Sequence, residues 1–231
     1  MTVFNLTSDQ LRVTDPCYTK GTWCAGVLEN VLPGKWIAEK VVASDADTGG
    51  WGDRIAELCI WHGDYIGKVD AHEKTNIDVG VDSGQAGFFD ESQYPEGETG
   101  EYGELDTFYG KVCAGTAGEM KTWQEPMYNE DDMKHFEELY NERTTREDNP
   151  FTEEQVRAIL ASLKDTVRTR SEHDYLGLAN VGFGVATASG YGDGGYDCFV
   201  GRNEENKIVA ARIVFISDED EDEEEDDDND E

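Results

Sequence analysis

Four aspartates set among glycines, Asp15, Asp82, Asp90 and Asp193, are the residues of this sequence best suited to chemistry. Carboxylates gathered in one pocket can exchange protons or hold a metal ion for hydrolysis, provided the chain brings them together. A second arrangement joins Cys17 or Cys59 as nucleophile to His62 as base and Asp82 as its orienting acid. No elbow or spacing supports it, and four histidines with five cysteines always permit such a sketch. Asp45, Asp47 and Gly50 begin like a calcium loop, but Gly49 occupies a ligand position and Ala56 stands where the bidentate glutamate belongs. Gly190, Gly192 and Gly195 match the dinucleotide fingerprint by letter. A β run follows them where pyrophosphate binding needs a helix N-terminus, and Asp193 and Asp197 crowd the position, so they read as a turn. His72-Glu73 lacks a second histidine at helical spacing. These residues lead to the expectation of a non-enzymatic chain with no cofactor and no metal, a carboxylate-rich, metal-assisted hydrolase being the alternative.

Charge is the stronger signal. Nineteen Lys and Arg against 52 Asp and Glu give the 231 residues a formal net charge of −33. Such a surface repels phosphate backbones and anionic membranes, and is drawn to any cationic groove with fast, salt-sensitive association. The excess culminates in Asp218, Glu219, Asp220, Glu221, Asp222, Glu223, Glu224, Glu225, Asp226, Asp227, Asp228, Asp230 and Glu231, interrupted only by Asn229. These thirteen carboxylates are the candidate partner-binding residues; without them the remaining residues still carry −20. An extended chain advances at most about 3.3–3.6 Å per residue, so their spacing approaches the ~3.4 Å between phosphates on one DNA strand. With nothing to bury, the segment is expected to be disordered when free.

Five tryptophans and a 37% hydrophobic fraction require a core to accompany this charge. The first residues carry no basic stretch followed by an apolar one, no apolar run reaches membrane-spanning length, and the five cysteines form no Cys-x-x-Cys pair. The expectation is a soluble cytoplasmic protein with free thiols. Strand patterns fall at 21–27, 35–42, 54–62, 77–82, 181–187, 196–200 and 207–216, and the stretch Glu91 to Gly118 reads as a glycine-rich acidic loop. Two helices intervene. Asn129 caps the first, which carries a stripe of Met133, Phe136, Leu139 and Tyr140. Thr152 and Gln155 make a capping box for the second, with Val156, Ile159, Leu160, Leu163 and Val167 on one face. They join near Asn149-Pro150. The fold class is thus α+β: a β-rich domain, sandwich or barrel-like, of residues 1–127 and 177–217, with a helical hairpin at 128–176 and a tail at 218–231.

Asp15-Pro16-Cys17-Tyr18, Val81-Asp82-Ser83-Gly84-Gln85-Ala86-Gly87 and Ser189-Gly190-Tyr191-Gly192-Asp193-Gly194-Gly195-Tyr196 resemble, in that order, motifs of a functionally uncharacterised family of bacterial and phage proteins. The resemblance covers the β portion and not the helical insertion or the tail, and it implies no activity. More loosely, the acid-rich tail on a compact domain resembles the phage host-takeover proteins that mimic DNA. That resemblance implies binding to the basic DNA-binding channel of a host enzyme such as bacterial RNA polymerase, inhibition of transcription, and no direct contact with nucleic acid. The composition is also compatible with an acidic chaperone of basic proteins and with a small-molecule-binding module.

Overall fold

A computed structural model describes residues 1–97, 103–144 and 151–217. Two compact units emerge, one formed by Met1–Glu119 with the chain from Asp174 onward, the other by Met120–His173.

The first unit is a sandwich of two antiparallel sheets. One sheet holds β1 (Thr2–Leu6), β4 (Gly34–Ala43), β5 (Arg54–His62), β13 (Ile208–Val214), β12 (Gly194–Arg202) and β6 (Glu73–Val81), in the order β1-β4-β5-β13-β12-β6. The other holds β10 (Leu178–Asn180), β11 (Gly184–Ala188), β7 (Gln85–Asp90), β2 (Gln10–Thr14) and β3 (Gly26–Glu29), ordered β10-β11-β7-β2-β3. Both sheets have distinct edge strands, so the architecture is sandwich-like and not a closed barrel, which removes one of the two forms expected from the sequence. Period-two alternation directs Phe4, Leu11, Val13, Trp36, Leu58, Ile60, Val79, Phe88, Val185 and Ile213 into one core between the sheets. Each such side chain stabilises the fold by roughly 1.5–3 kcal/mol relative to exposure. Trp36, fully buried, still satisfies its indole N–H by donating to the Leu32 carbonyl at 3.0 Å.

Every residue of β7 is buried, because a third layer covers its other face. Helix α1 (Glu104–Thr116) lies there, presenting Leu105, Phe108 and Val112 at helical spacing to Phe89, Tyr94, Ala179 and Ala186, while the Thr116 hydroxyl donates to Gln85 Oε1 at 2.6 Å. This corrects the reading of Glu91 to Gly118 as a loop; the part of it at 98–102 lies outside the described residues. The stretch 21–25 is a correction in the other direction. It forms turns, and only Gly26 onward is strand.

In the second unit β8 (Met120–Pro126) and β9 (Val167–His173) pair as an antiparallel ribbon. Helices α2 (Glu130–Thr144) and α3 (Glu153–Lys164) lie between them in sequence and pack against each other. The caps act as read from sequence. Asn129 Oδ1 accepts the Asp132 N–H at 2.8 Å, and Thr152 and Gln155 form a reciprocal capping box. The junction read at Asn149-Pro150 and the whole tail 218–231, with its candidate partner-binding residues, lie outside the described residues. Among the described residues no helix is long and apolar enough to cross a membrane.

Candidate functional site

Strand register places five connections at one pole of the sandwich. Ala43 lies beside Arg54, Val81 beside Gly194, Thr14 beside Gly87 and Ala188 beside Gln85. The links 15–25, 44–53, 82–84 and 189–193 therefore share that pole with the chain leaving β13 at Phe215–Ser217.

The three sequence motifs meet there. Asp15 is fully buried, and its carboxylate accepts the backbone N–H groups of Cys17, Asp82 and Ser83 at 2.8, 2.9 and 2.7 Å, and the Ser83 hydroxyl at 2.7 Å. It ties the end of β2 to the β6–β7 turn. Ser189 N–H donates to the Gly84 carbonyl at 3.0 Å, which ties in the third motif. Gly190, at φ 58°, turns so tightly that a Cβ there would come 3.1 Å from Phe215 Cβ. The Tyr196 hydroxyl closes the loop on the carbonyls of Ser189 and Gly192 at 2.9 and 2.7 Å.

Between these loops opens a cleft of about 520 Å³, walled by Tyr18, Trp23, Asp78, Asp82 and Asp193 over a floor that includes Gly80, Gly194 and Gly195. Gly80 leaves room for Cys24, whose Cβ would lie 2.7 Å from a Cβ at that position, and a Cβ at Gly195 would displace the Asp78 carboxylate, 2.8 Å away. Burial, and then its hydrogen bond to Asp82, push the Tyr18 phenol well above its ordinary value. Trp23 is 90% exposed and Trp51, on the neighbouring 44–53 loop, 70% exposed. Three carboxylates beside uncovered aromatic faces suit a cation, and an arginine or lysine side chain would find both an ion-pair and a π partner there.

The chain belongs to the family described as Protein of unknown function (DUF4241). That family's model matches residues 4–213, so its span runs through Met120–His173, beyond the β portion to which the sequence resemblance was confined. No curated protein and no solved structure matches the chain.

The four candidate aspartates do not form one cluster in this DUF4241 chain. Asp82 and Asp193 line the cleft, Asp15 is engaged beneath it, and Asp90 sits at the far end of β7. There its carboxylate gathers Thr7, Ser8, Ser92 and Gln93 donors at 2.6–3.0 Å. The Cys-His-Asp arrangement is also divided. Cys17 and Asp82 share the motif pole, but His62 ends β5 about 26 Å along the strand from the pole-side Arg54. His62 instead packs edge-on to Trp36 and places Nε2 3.3 Å from the Pro33 carbonyl. Burial pushes the Cys17 thiol up to about 12, reinforced by Asp15, and burial with Glu57 does the same for Cys59. Both stay protonated and unreactive near neutral pH.

In the calcium-like loop the exposed acids hydrogen-bond to groups of the loop itself. Asp47 accepts the Ser44 N–H and hydroxyl at 3.0 and 2.6 Å, and Asp45 accepts the Gly52 N–H at 2.7 Å. The hydrogen bonds from Ser44 lower the Asp47 pKa. Among the described residues no three His, Cys, Asp or Glu side chains converge as metal ligands. Sequence reasoning missed Asp78 and the exposed Trp23 as cleft residues. Gly80 and Gly195, at paired positions of β6 and β12, were the available signal.

Proposed function

We propose that this protein is a non-enzymatic polyanion mimic that occupies the basic DNA-binding channel of a nucleic-acid enzyme, bacterial RNA polymerase being the partner tested first, and thereby inhibits transcription. The observation that carries this reading is where the negative charge is placed. The Asp78, Asp82 and Asp193 cleft opens at the same pole from which the sequence continues, past Ser217, into thirteen carboxylates. A cationic channel would meet acid spaced like phosphate, together with a folded acidic face that exposes indoles. Fixing the tail on a partner costs about 1–2 kcal/mol per residue, so the folded pole supplies contacts that a free peptide lacks. The protein acts in the cytoplasm, with no direct nucleic-acid or membrane contact; all five cysteines are free, as a reducing compartment keeps them.

The test is promoter-dependent transcription by purified polymerase with increasing amounts of the chain, at low and moderate salt. Inhibition should be relieved by excess DNA, should weaken steeply with salt, and should fall at least about tenfold, or ~1.4 kcal/mol, on deleting 218–231. Unchanged transcription at low salt excludes the reading. The cleft favours a second reading, a module that binds a small cation. A polyamine that raises the melting temperature of the tail-deleted chain, but not that of its Asp82→Asn variant, would support it.

A further inference from the structure

Around the cleft at the motif pole the basic side chains are engaged elsewhere. Lys20, on the 15–25 link, reaches Glu96 at 3.3 Å and Glu91 at 3.7 Å, and Arg54 Nε donates to the Trp51 carbonyl at 3.1 Å. Asp78 of β6 stands directly across the ladder from Asp197 of β12, two like charges in a position that costs stability. Lys74 compensates only Asp197, at 2.6 Å. Glu57 and Glu73, on the same sheet, are paired with Arg212 and Arg202. Asp78, Asp82 and Asp193 are exposed to the cleft with no ion-pair partner among the described residues.

A second observation is aromatic. Trp23, on the cleft wall, is 90% exposed, while Trp51 and Tyr191, on the 44–53 and 189–193 links, are 70% and 53% exposed. Single apolar side chains on a surface are ordinary, but three large aromatics on three links of one pole have the composition of a protein interface.

Together these features select the occupant. A lysine ammonium answers the charge alone. An arginine guanidinium is flat, so it can lie on an indole face while its edge gives two parallel N–H groups to a carboxylate. Gly80, Gly194 and Gly195 keep the floor clear for so long a side chain.

We propose that the cleft is an arginine-reading subsite: it takes an arginine side chain of a basic protein partner between the Trp23 indole and the carboxylates of Asp78, Asp82 and Asp193. The subsite deepens the proposed function and rests on it for the class of partner.

Titration calorimetry of the full chain with hexaarginine and with hexalysine tests it, at about 0.3 M salt, where the Debye length is well under 10 Å. The two peptides carry equal charge, so attraction to the acidic tail is common to both. Trp23→Ala should weaken hexaarginine about fivefold and hexalysine less than about twofold. Trp23 is too exposed for its loss to unfold the chain. Asp78→Asn should weaken both peptides about threefold, yet raise the melting temperature of the free chain by removing the charge opposite Asp197. Equal losses for the two peptides on Trp23→Ala, no loss at all, or an Asp78→Asn variant that binds like wild type overturns the proposal. Transcription is measured apart from these titrations. An uninhibited polymerase would remove the proposed function and leave the subsite, whereas peptides indifferent to Trp23 would do the reverse.

Discussion

Asp15, Asp82, Asp90 and Asp193 differ in their surroundings more than in their sequence contexts, and their surroundings set their roles. At Asp90 burial works to raise the pKa, but hydrogen bonds from Ser8, Thr7 and Ser92 outweigh it and hold the carboxyl well below the usual range. A folded value below the unfolded one contributes stability that is present above the unfolded carboxylate's pKa of about 3.9 and is lost as pH falls through the folded value. Asp90→Asn should therefore cost about 1–3 kcal/mol at neutral pH. In urea titrations the gap between wild type and variant should narrow from pH 6 towards pH 3. A gap independent of pH would mean that ionised Asp90 is not the acceptor. Thr187 offers the converse case: it is fully buried on β11, and its hydroxyl has no hydrogen-bond partner among the described residues. Thr187→Val keeps the shape and removes the orphan group, so a stabilisation of about 1 kcal/mol is expected in the same assay. Neither role was legible in the sequence. The aspartates could be picked out as chemically capable, but whether a carboxylate faces a cleft or a ring of amides depends on partners such as Thr7 and Ser83, 83 and 68 residues away.

Elements show a similar division between local and distant information. The strands β4, β5, β6, β12 and β13 were readable because their alternation and β-branched content are local properties. The caps of α2 and α3 were readable because a cap is complete within four residues. Helix α1 was not, since Gly110 and Gly115 lower its propensity and its neighbours are glycine-rich. Packing gives the reason for Gly115: a Cβ there would lie 2.6 Å from Ala179 Cβ, so the helix approaches β10 as closely as only glycine allows. Strand β7 went unread for a related reason. Burial on both faces erases alternation in β7, and Gly87 is needed because a Cβ would strike the Val185 carbonyl. Gly115→Val should lift α1 from the sheet at about 1–3 kcal/mol, although it raises intrinsic helix propensity. Hydrogen exchange should show α1 amides losing protection while those of β5 and β13 keep theirs. Equal loss everywhere would mean that α1 is integral to the sandwich rather than a layer laid upon it.

At the scale of the whole molecule, one variable separates folding from binding. The formal charge of −33 repels itself in the compact state, and salt relieves that repulsion as the Debye length shrinks from about 30 Å at 0.01 M to about 8 Å at 0.15 M. Stability should therefore rise with added sodium chloride. A gain of about 1 kcal/mol in a chain of this size appears as roughly 2–4 °C in melting temperature. Deleting 218–231 removes thirteen of those charges, so the truncated chain should melt higher at low salt and respond less to added salt. Attraction to a cationic channel has the opposite sign: the same salt that firms the fold should weaken inhibition. Measured on one preparation, melting temperature and inhibitory potency should thus move in opposite directions as salt increases, and the tail deletion should flatten both responses. If potency instead fell together with stability on lowering the salt, inhibition would depend on the integrity of the folded state, and the carboxylates would be serving solubility alone.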